Sequence, residues 1–165
     1  MKKHILFITF LSLAATIAKA ESKTTAICDV ASIESNSHPS FSAAKHVAIE
    51  SNIAAKEILV SILDANKKQL TEDWAGFHSS ILFANKGDLS DGAYGVGKRS
   101  YSRVTLENNS IVAKLKNDPG QFNTGGNFAE RSELKIDLGT GQGQFSYRKI
   151  QQGYTIGAGF ALNCK

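Results

Sequence analysis

Apolar and polar residues alternate along most of the second half of the chain, and this period of two is the strongest constraint on its fold. Residues 102–107, 110–116, 132–138 and 154–164 each place apolar side chains at every second position. Successive side chains of a β-strand point to opposite faces, so this pattern is typical of strands that bury one face. The second half of the chain is therefore predicted to be β-structure.

Residues that favour turns separate these segments. Asn-Asn at 108–109 tolerates positive φ and predicts a hairpin between the segments on either side. The Gly-rich run 139–143 and the Gln-Gln-Gly run 151–153 interrupt the alternation in the same way. Asn-Asp-Pro-Gly at 117–120 predicts a further turn, because Pro119 cannot donate a hydrogen bond inside a central strand.

The first half of the chain is less regular. Residues 24–30 and 77–84 have the composition of strands. The Ser- and Asn-rich segment 31–42 and the Gly- and Asp-containing segment 85–97 are predicted to be loops.

Residues 43–63 fit two structures. Several of their apolar residues recur at helical spacing, but Val47 and Ile49, and later Ile58 and Ile62, also alternate as in strands. We favour two strands over one helix. The polar run 64–68 that follows is typical of a hairpin turn.

Several short strands divided by turns indicate a mainly β protein. The predicted fold is a single-domain antiparallel β-sandwich or small barrel over residues 21–165, with one helix in 43–63 as the alternative for that segment.

Residues 1–20 are predicted to be a cleaved secretory signal peptide. Lys2 and Lys3 form a positive head, residues 5–17 are mostly apolar and uncharged, and residues 18–20 are a small-residue cleavage site. The apolar run is shorter than the roughly 20 residues that a membrane-spanning helix needs. We therefore expect an exported protein, periplasmic or extracellular, with no stable membrane insertion after cleavage.

The net charge argues against nucleic acid as a partner. The full chain has 19 basic and 15 acidic residues, but three of the lysines lie in the leader, which leaves the expected mature chain near neutrality. Proteins that bind nucleic acid by releasing counterions usually carry a strong basic excess. An unknown protein or glycan partner is the expectation.

Cys28 and Cys164 are the two cysteines, and both lie in the expected mature chain. In an oxidising compartment two thiols more often pair than remain free. Cys164 also falls in phase with the apolar face of its segment, which favours a buried bridge. The sequence therefore predicts a disulfide that joins the first and last strands.

Two loop sequences resemble ligand-binding motifs without completing them. Residues 92–98 match most of a phosphate-binding loop, but Arg99 stands where the hydroxyl that holds Mg²⁺ is required. Asp88 and Asp91 could offer oxygen ligands to calcium, but they lack the spacing and the distal Glu of an EF-hand. No cofactor is predicted.

The histidines and carboxylates give no catalytic or metal-binding pattern. His38, His46 and His78 lack the paired spacing of a local zinc site. The acidic residues of 130–137 could form a glycosidase-like pair, but alternation explains them more simply as part of a charge-balanced, solvent-facing strand. These acidic residues are Glu130, Glu133 and Asp137, with Arg131 and Lys135 among them. No catalytic or metal-binding residue is predicted.

Several aromatic residues fall in or near the predicted connections, where aromatic rings can anchor sugars or protein partners. The alternative interpretation is that they cap the ends of the core. These residues are Trp74, Phe77, Tyr94, Tyr101, Phe122 and Phe128.

Together these observations predict a small soluble exported bacterial protein, a non-catalytic binding or structural module whose ligand the sequence does not name. A hydrolase-type enzyme without a recognisable motif remains an alternative. So does a small outer-membrane β-barrel, although its strands would need roughly 9–11 residues and aromatic girdles, whereas most segments here are shorter and charged.

Overall fold

The computed structural model describes residues 23–52, 55–72, 78–89, 100–121, 127–151 and 153–164. Within these ranges the regular structure consists of ten β-strands and one short 3-10 turn at Pro39–Phe41. The strands are β1 Lys23–Ile33, β2 His46–Asn52, β3 Glu57–Leu63, β4 Ser80–Ala84, β5 Lys86–Leu89, β6 Ser100–Glu107, β7 Ser110–Gln121, β8 Asn127–Asp137, β9 Gln142–Gln151 and β10 Tyr154–Cys164.

The strands form one antiparallel sheet in the order β4-β3-β2-β1-β10-β9-β8-β7-β6-β5. The edge strands β4 and β5 are separated only by Asn85 in the chain, so they can be counted as one bent strand of a nine-strand sheet. Hydrogen bonds link this bent strand to β6 at the other end of the sheet, since Ser102 Oγ accepts a hydrogen bond from Ala84 N and Asn85 Oδ1 accepts one from Val104 N. The sheet is therefore nearly closed into a barrel.

The alternation in the sequence becomes the inside and outside of this barrel. On β10, for example, Ile156, Ala158, Phe160 and Leu162 are all buried. Phe41, from the 3-10 turn, is also fully buried, and its ring lies edge-on to those of Tyr147 and Phe160, with centroids 5.9 and 6.0 Å away. Apolar side chains thus occupy the interior, where their removal from water stabilises the fold by about 25 cal/mol per Å².

This architecture confirms the predicted mainly β fold and is barrel-like rather than a two-layer sandwich. Residues 43–63 contain β2 and β3, which pair with each other from His46–Leu63 to Asn52–Glu57. The helix alternative for this segment is therefore wrong. Pairing on both sides of β2 and β3 favours the strand interpretation of a pattern that also fits a helix.

The predicted turn at 117–120 is also wrong, because β7 continues to Gln121. The pairing of β7 with β8 shifts in register between Asn117 and Gly120. Such an irregularity leaves positions outside the regular ladder, and a strand can accept a proline there because no backbone N–H is required.

Two predicted loops are shorter than expected. β1 extends to Ile33, which pairs with Phe160, and β5 occupies Lys86–Leu89 within the expected loop 85–97. β1 pairs with β10, and β5 pairs with β6. These backbone hydrogen bonds hold both segments as strands, although their local sequence does not favour strands. No helix in the described part of the chain is long and apolar enough to cross a membrane.

The predicted disulfide between Cys28 and Cys164 is confirmed. The two residues lie directly opposite each other on β1 and β10, with their Cα atoms 4.1 Å apart. The bridge links positions 136 residues apart and so ties the first strand to the last. It is compatible with an oxidising exported environment.

Candidate ligand-binding groove

A groove of about 970 Å³ lies on the outer face of the sheet, over β7–β10 and beside residues 34–39. Its floor includes outward-facing charged residues of β7, β8 and β9, and the segment 34–39 forms one wall. The inward-facing residues Leu115, Ser132 and Tyr147 also contribute to the lining. Side chains alternate along a strand, so the residues before and after each outward-facing floor residue point toward the barrel interior.

Three basic residues form a row across this floor, which we call the cationic row. Lys116 on β7 pairs with Arg131 on β8, and Arg131 pairs with Arg148 on β9. Directly opposed residues have Cβ atoms roughly 4.5–5.5 Å apart. The row therefore concentrates three basic side chains on one part of the floor.

A second row, two residues along the strands, has balanced charge. Lys114 Nζ lies 3.3 Å from Glu133 Oε1, and Glu133 pairs in turn with Ser146. Both charged side chains are about half exposed, and ion pairs of this kind contribute only about 0–1 kcal/mol. The pair therefore contributes little to stability, but it balances the charge beside the cationic row.

The wall of the groove extends the sheet beyond the end of β1. Glu34 N donates a hydrogen bond to Gly159 O at 2.9 Å, and His38 N donates one to Gly157 O at 2.7 Å. Ser37 Oγ accepts a hydrogen bond from Gly159 N at 3.2 Å. The wall is therefore fixed to β10 by backbone and side-chain hydrogen bonds.

Two of the three candidate histidines have local partners. His38 lies in the wall of the groove, and its Nδ1 accepts a hydrogen bond from Ser40 N at 3.3 Å. His46 Nδ1 lies 3.0 Å from Asp29 Oδ1 on the neighbouring strand. Within the described ranges, no group of three or more His, Cys, Asp or Glu residues is placed to hold a metal ion.

The third histidine, His78, belongs to a polar cluster at β8 and β9. Its ring nitrogens lie 3.7 Å from Glu72 Oε1 and 3.9 Å from Glu130 Oε1, both beyond hydrogen-bond distance. Its backbone N donates a hydrogen bond to the hydroxyl of Tyr147 at 3.2 Å. Burial raises the pKa of Tyr147 above its ordinary value, so this hydroxyl stays protonated. The hydrogen bond attaches residue 78 to the barrel.

The acidic residues of β8 do not share one face. Glu133 is exposed, whereas Glu130 follows the phase of the buried residues and pairs with Lys149, which is 6% exposed. Asp137 accepts hydrogen bonds from Gly139 N and Thr140 N at 2.8 and 2.9 Å, and these bonds lower the pKa of its carboxyl group. Asp137 therefore stabilises the turn between β8 and β9.

The remaining sequence candidates lie away from the groove or outside the described residues. Asp88 lies in β5, whereas Asp91 and the phosphate-loop-like residues 92–98 are outside the described ranges. Tyr101 and Phe128 lie in β6 and β8 rather than in connections. The other aromatic candidates outside the described ranges are Trp74, Phe77, Tyr94 and Phe122.

Sequence reasoning missed the cationic row. Its three members are separated by 15 and 17 positions in the chain, and only strand register brings them together. The sequence did contain one indication of the row, because each of three successive strands carries a basic residue on its polar face. The sequence did not show which positions of these strands lie opposite one another, and the row depends on that register.

Comparisons of the chain with protein-family models, with curated proteins and with solved structures found no match. A function for this protein has to be argued from its own groove and its own charges.

Proposed function

We propose that this protein is a small exported binding module that holds an anionic ligand in the groove on its outer face. The observation that carries the proposal is the cationic row of Lys116, Arg131 and Arg148, which lies in a concave surface of about 970 Å³. Ligand sites are usually concave, and a few polar or charged groups placed in them fix the orientation of the ligand.

The chemistry of the row suits an anion. An arginine side chain presents its N–H donors in a planar fork that matches carboxylate, sulfate and phosphate oxygens, and charge-assisted hydrogen bonds are stronger than neutral ones. The hydroxyls of Ser37 and Ser146 add neutral hydrogen-bonding groups beside the charges.

The groove also contains the titratable groups Glu34, Glu133 and His38. Glu133 is engaged by Lys114, and Nδ1 of His38 is engaged by Ser40 N, whereas the carboxyl group of Glu34 lies against Gly159 at the edge of the groove. The basic residues on the floor outnumber the acidic ones, and charge-assisted hydrogen bonds from them can hold an anion without any proton transfer. This supports the binding module over the hydrolase alternative.

The outer face also supports a module surrounded by water over an outer-membrane barrel. Arg131, Glu133 and Lys135 are exposed on β8, and Lys114 and Arg148 are exposed on the flanking strands. The lipid-facing side of a membrane barrel is an apolar band instead. Together with the predicted leader and the disulfide, this favours the periplasm or the extracellular space.

Substitution of one floor residue by a large ring tests whether the groove is the binding site. Ser146→Trp would place an indole in the floor, and Gln144→Trp would place the same ring two residues away on the same strand, outside the groove. The exported protein is titrated with inorganic sulfate, hexagalacturonate, hexaglutamate and maltohexaose, and backbone amide chemical shifts are recorded.

We expect at least one anionic probe to shift amides of β7–β9 and residues 34–39. Ser146→Trp should abolish these shifts, whereas Gln144→Trp should retain them. Shifts that map to another face, equal binding by both tryptophan variants, or no binding by any anionic probe would each overturn the proposal.

A further inference from the structure

We infer that His78, Glu72 and Glu130 form an acid-engaged clamp, which fastens the connection between β3 and β4 to strand β8 when the ring of His78 is protonated. Glu72 and His78 belong to that connection, and Glu130 lies on β8. The clamp uses none of the residues of the cationic row. It goes beyond the proposed function and does not depend on it.

The ring of His78 lies between the two carboxyl groups, with a different ring nitrogen nearest to each. Nδ1 lies 3.7 Å from Glu72 Oε1, and Nε2 lies 3.9 Å from Glu130 Oε1. These distances are about 1 Å longer than a charge-assisted hydrogen bond. A neutral imidazole has an N–H on one nitrogen only, whereas an imidazolium ion has one on both. The arrangement therefore matches the protonated ring better than the neutral one.

The charged groups around the ring carry a net negative charge. Glu72 approaches from the same connection and Glu130 from β8, and Lys149, directly opposite Glu130 on β9, is 6% exposed. The hydroxyl of Tyr147 is neutral, because burial raises its pKa. With both carboxylates and the lysine ionised, one negative charge is left over, and a proton on His78 balances it. An opposite charge within about 4–6 Å favours the charged form of a titratable group.

Hydrogen bonds hold the parts of the clamp close together in either charge state of the ring. Ser79 N donates a hydrogen bond to Glu72 Oε1 at 3.2 Å, and the Ser79 backbone oxygen accepts one from Ile62 N at 2.8 Å. His78 N is held by the hydroxyl of Tyr147. The ring itself is 43% exposed, so it can exchange protons with solvent. Protonation therefore adds attraction between the connection and β8 without a rearrangement of the backbone.

The clamp should engage in weak acid and release as the pH rises. Histidine side chains ordinarily change charge between about pH 5 and pH 8, and carboxyl groups ordinarily stay ionised above about pH 5. The folded protein offers the protonated ring two carboxylates that the unfolded chain does not hold in place. The contribution of the clamp is therefore present in weak acid and is lost as the pH rises through the range of histidine.

Amide hydrogen exchange tests how firmly the connection is held. The amides of His78 and Ser79 are followed at about pH 5.5 and about pH 7.5, on either side of the ordinary titration of histidine. Rates are expressed as protection factors, which divide out the intrinsic dependence of amide exchange on pH. A difference in protection between the two conditions then reports on the folded protein.

Three variants each remove one member of the clamp: His78→Gln, Glu72→Gln and Glu130→Gln. The amide oxygen of glutamine can still accept a hydrogen bond, for example from Ser79 N at position 72, so the charge is removed while the neutral bond can remain. His46→Gln is the matched control, because His46 also lies beside a carboxylate, 3.0 Å from Asp29, but on the pair of strands β1 and β2.

We expect the protection of the His78 and Ser79 amides in the unmodified protein to be about threefold or more higher at the lower pH, as for ion pairs of half-exposed groups. His78→Gln should remove this gain. Glu72→Gln and Glu130→Gln should each reduce it by at least half, because each leaves the ring with one carboxylate. His46→Gln should retain it.

Equal protection at both pH values in the unmodified protein, or stronger protection at the higher pH, would overturn the inference. So would a gain that persists in His78→Gln, or one that either carboxylate variant retains in full. If Glu130→Gln does not fold, because Lys149 loses the charge opposite it, Glu72→Gln decides the outcome. These measurements involve no anionic probe, so the anion-binding proposal stands or falls separately.

Discussion

The carboxyl group of Glu34 lies against Gly159 of β10, in the space that a larger residue at position 159 would occupy. The group in the way is the far end of a flexible side chain, so it can move aside. The contact therefore places a carboxylate at the edge of the groove without making Gly159 indispensable to the fold.

Gly159→Ala should consequently change the free energy of unfolding by less than about 1 kcal/mol, since alanine is also better tolerated than glycine within a strand. Gly141→Ala is the contrasting variant. Residue 141 has a φ of +71°, and a Cβ there would collide with the backbone oxygen of Cys164, so a loss of about 2 kcal/mol or more is expected. Denaturant unfolding of both variants provides the comparison, and equal losses would contradict it.

The bridge between Cys28 and Cys164 should stabilise the fold as one unit. Cys28→Ala, Cys164→Ala and the double variant should lose similar amounts of stability, up to about 5 kcal/mol for so long a closed loop, because each removes the same bridge. Reductant should lower the unfolding midpoint of the unmodified protein and leave that of the double variant unchanged. Two titratable thiols in the native, unreduced protein would disprove the pairing.

Two buried serines should respond in opposite ways to removal of the hydroxyl. Ser132 Oγ is buried and has no hydrogen-bond partner among the described residues, so Ser132→Ala should be neutral or stabilising by up to about 1 kcal/mol. Ser79 Oγ accepts a hydrogen bond from Gln69 Nε2 at 2.8 Å, and Ser79→Ala should cost about 1 kcal/mol. Thermal or denaturant unfolding of the two variants checks the difference in sign, and a clear loss in Ser132→Ala would argue against it.

Asp137 should make the stability of the β8–β9 turn depend on pH. Hydrogen bonds from the backbone of Thr140 and Gly139 hold its pKa below the ordinary value of 3.8, so its contribution is present above that value. The contribution is lost as the pH falls through the lowered pKa of the folded state. Asp137→Asn should therefore melt at a lower temperature than the unmodified protein near pH 7, and the gap should narrow in acid.

Melting curves between pH 2 and pH 7 test this expectation. Gln144→Ala, an exposed substitution on β9 that involves no titratable group, serves as the control. A gap between Asp137→Asn and the unmodified protein that stays constant over this range would show that the carboxylate charge is not responsible.

Much of the fold was predictable because alternation reports directly on burial. The period-two pattern of 154–164 identified β10 and its inner face, and the phase of Cys164 within it pointed to the disulfide. Turn residues at 108–109 correctly separated β6 from β7, where both asparagines adopt positive φ. In each case a short stretch of sequence contains all the information required.

The site was much less predictable. Pro119 is normally excluded from central strands, but an irregularity in the pairing of β7 with β8 between Asn117 and Gly120 accommodates it. The regular part of the same ladder, from Ser110–Asp137 onward, sets Lys116 opposite Arg131. The wall at Glu34–His38 depends likewise on free hydrogen-bonding groups of Gly157 and Gly159, which lie more than a hundred residues away. Local propensity does not encode either relationship.

The sequence by itself determined most of the strands of the second half, the buried face of each, and which two thiols pair, because side-chain periodicity and cysteine count are local or compositional properties. The tertiary structure decided that the strands form one nearly closed sheet and that three basic residues from separate strands stand in line beside a fixed wall. The physical reason is that strand register depends on bulges and on long-range backbone hydrogen bonds, and a shift of one residue would turn each of these side chains to the opposite face.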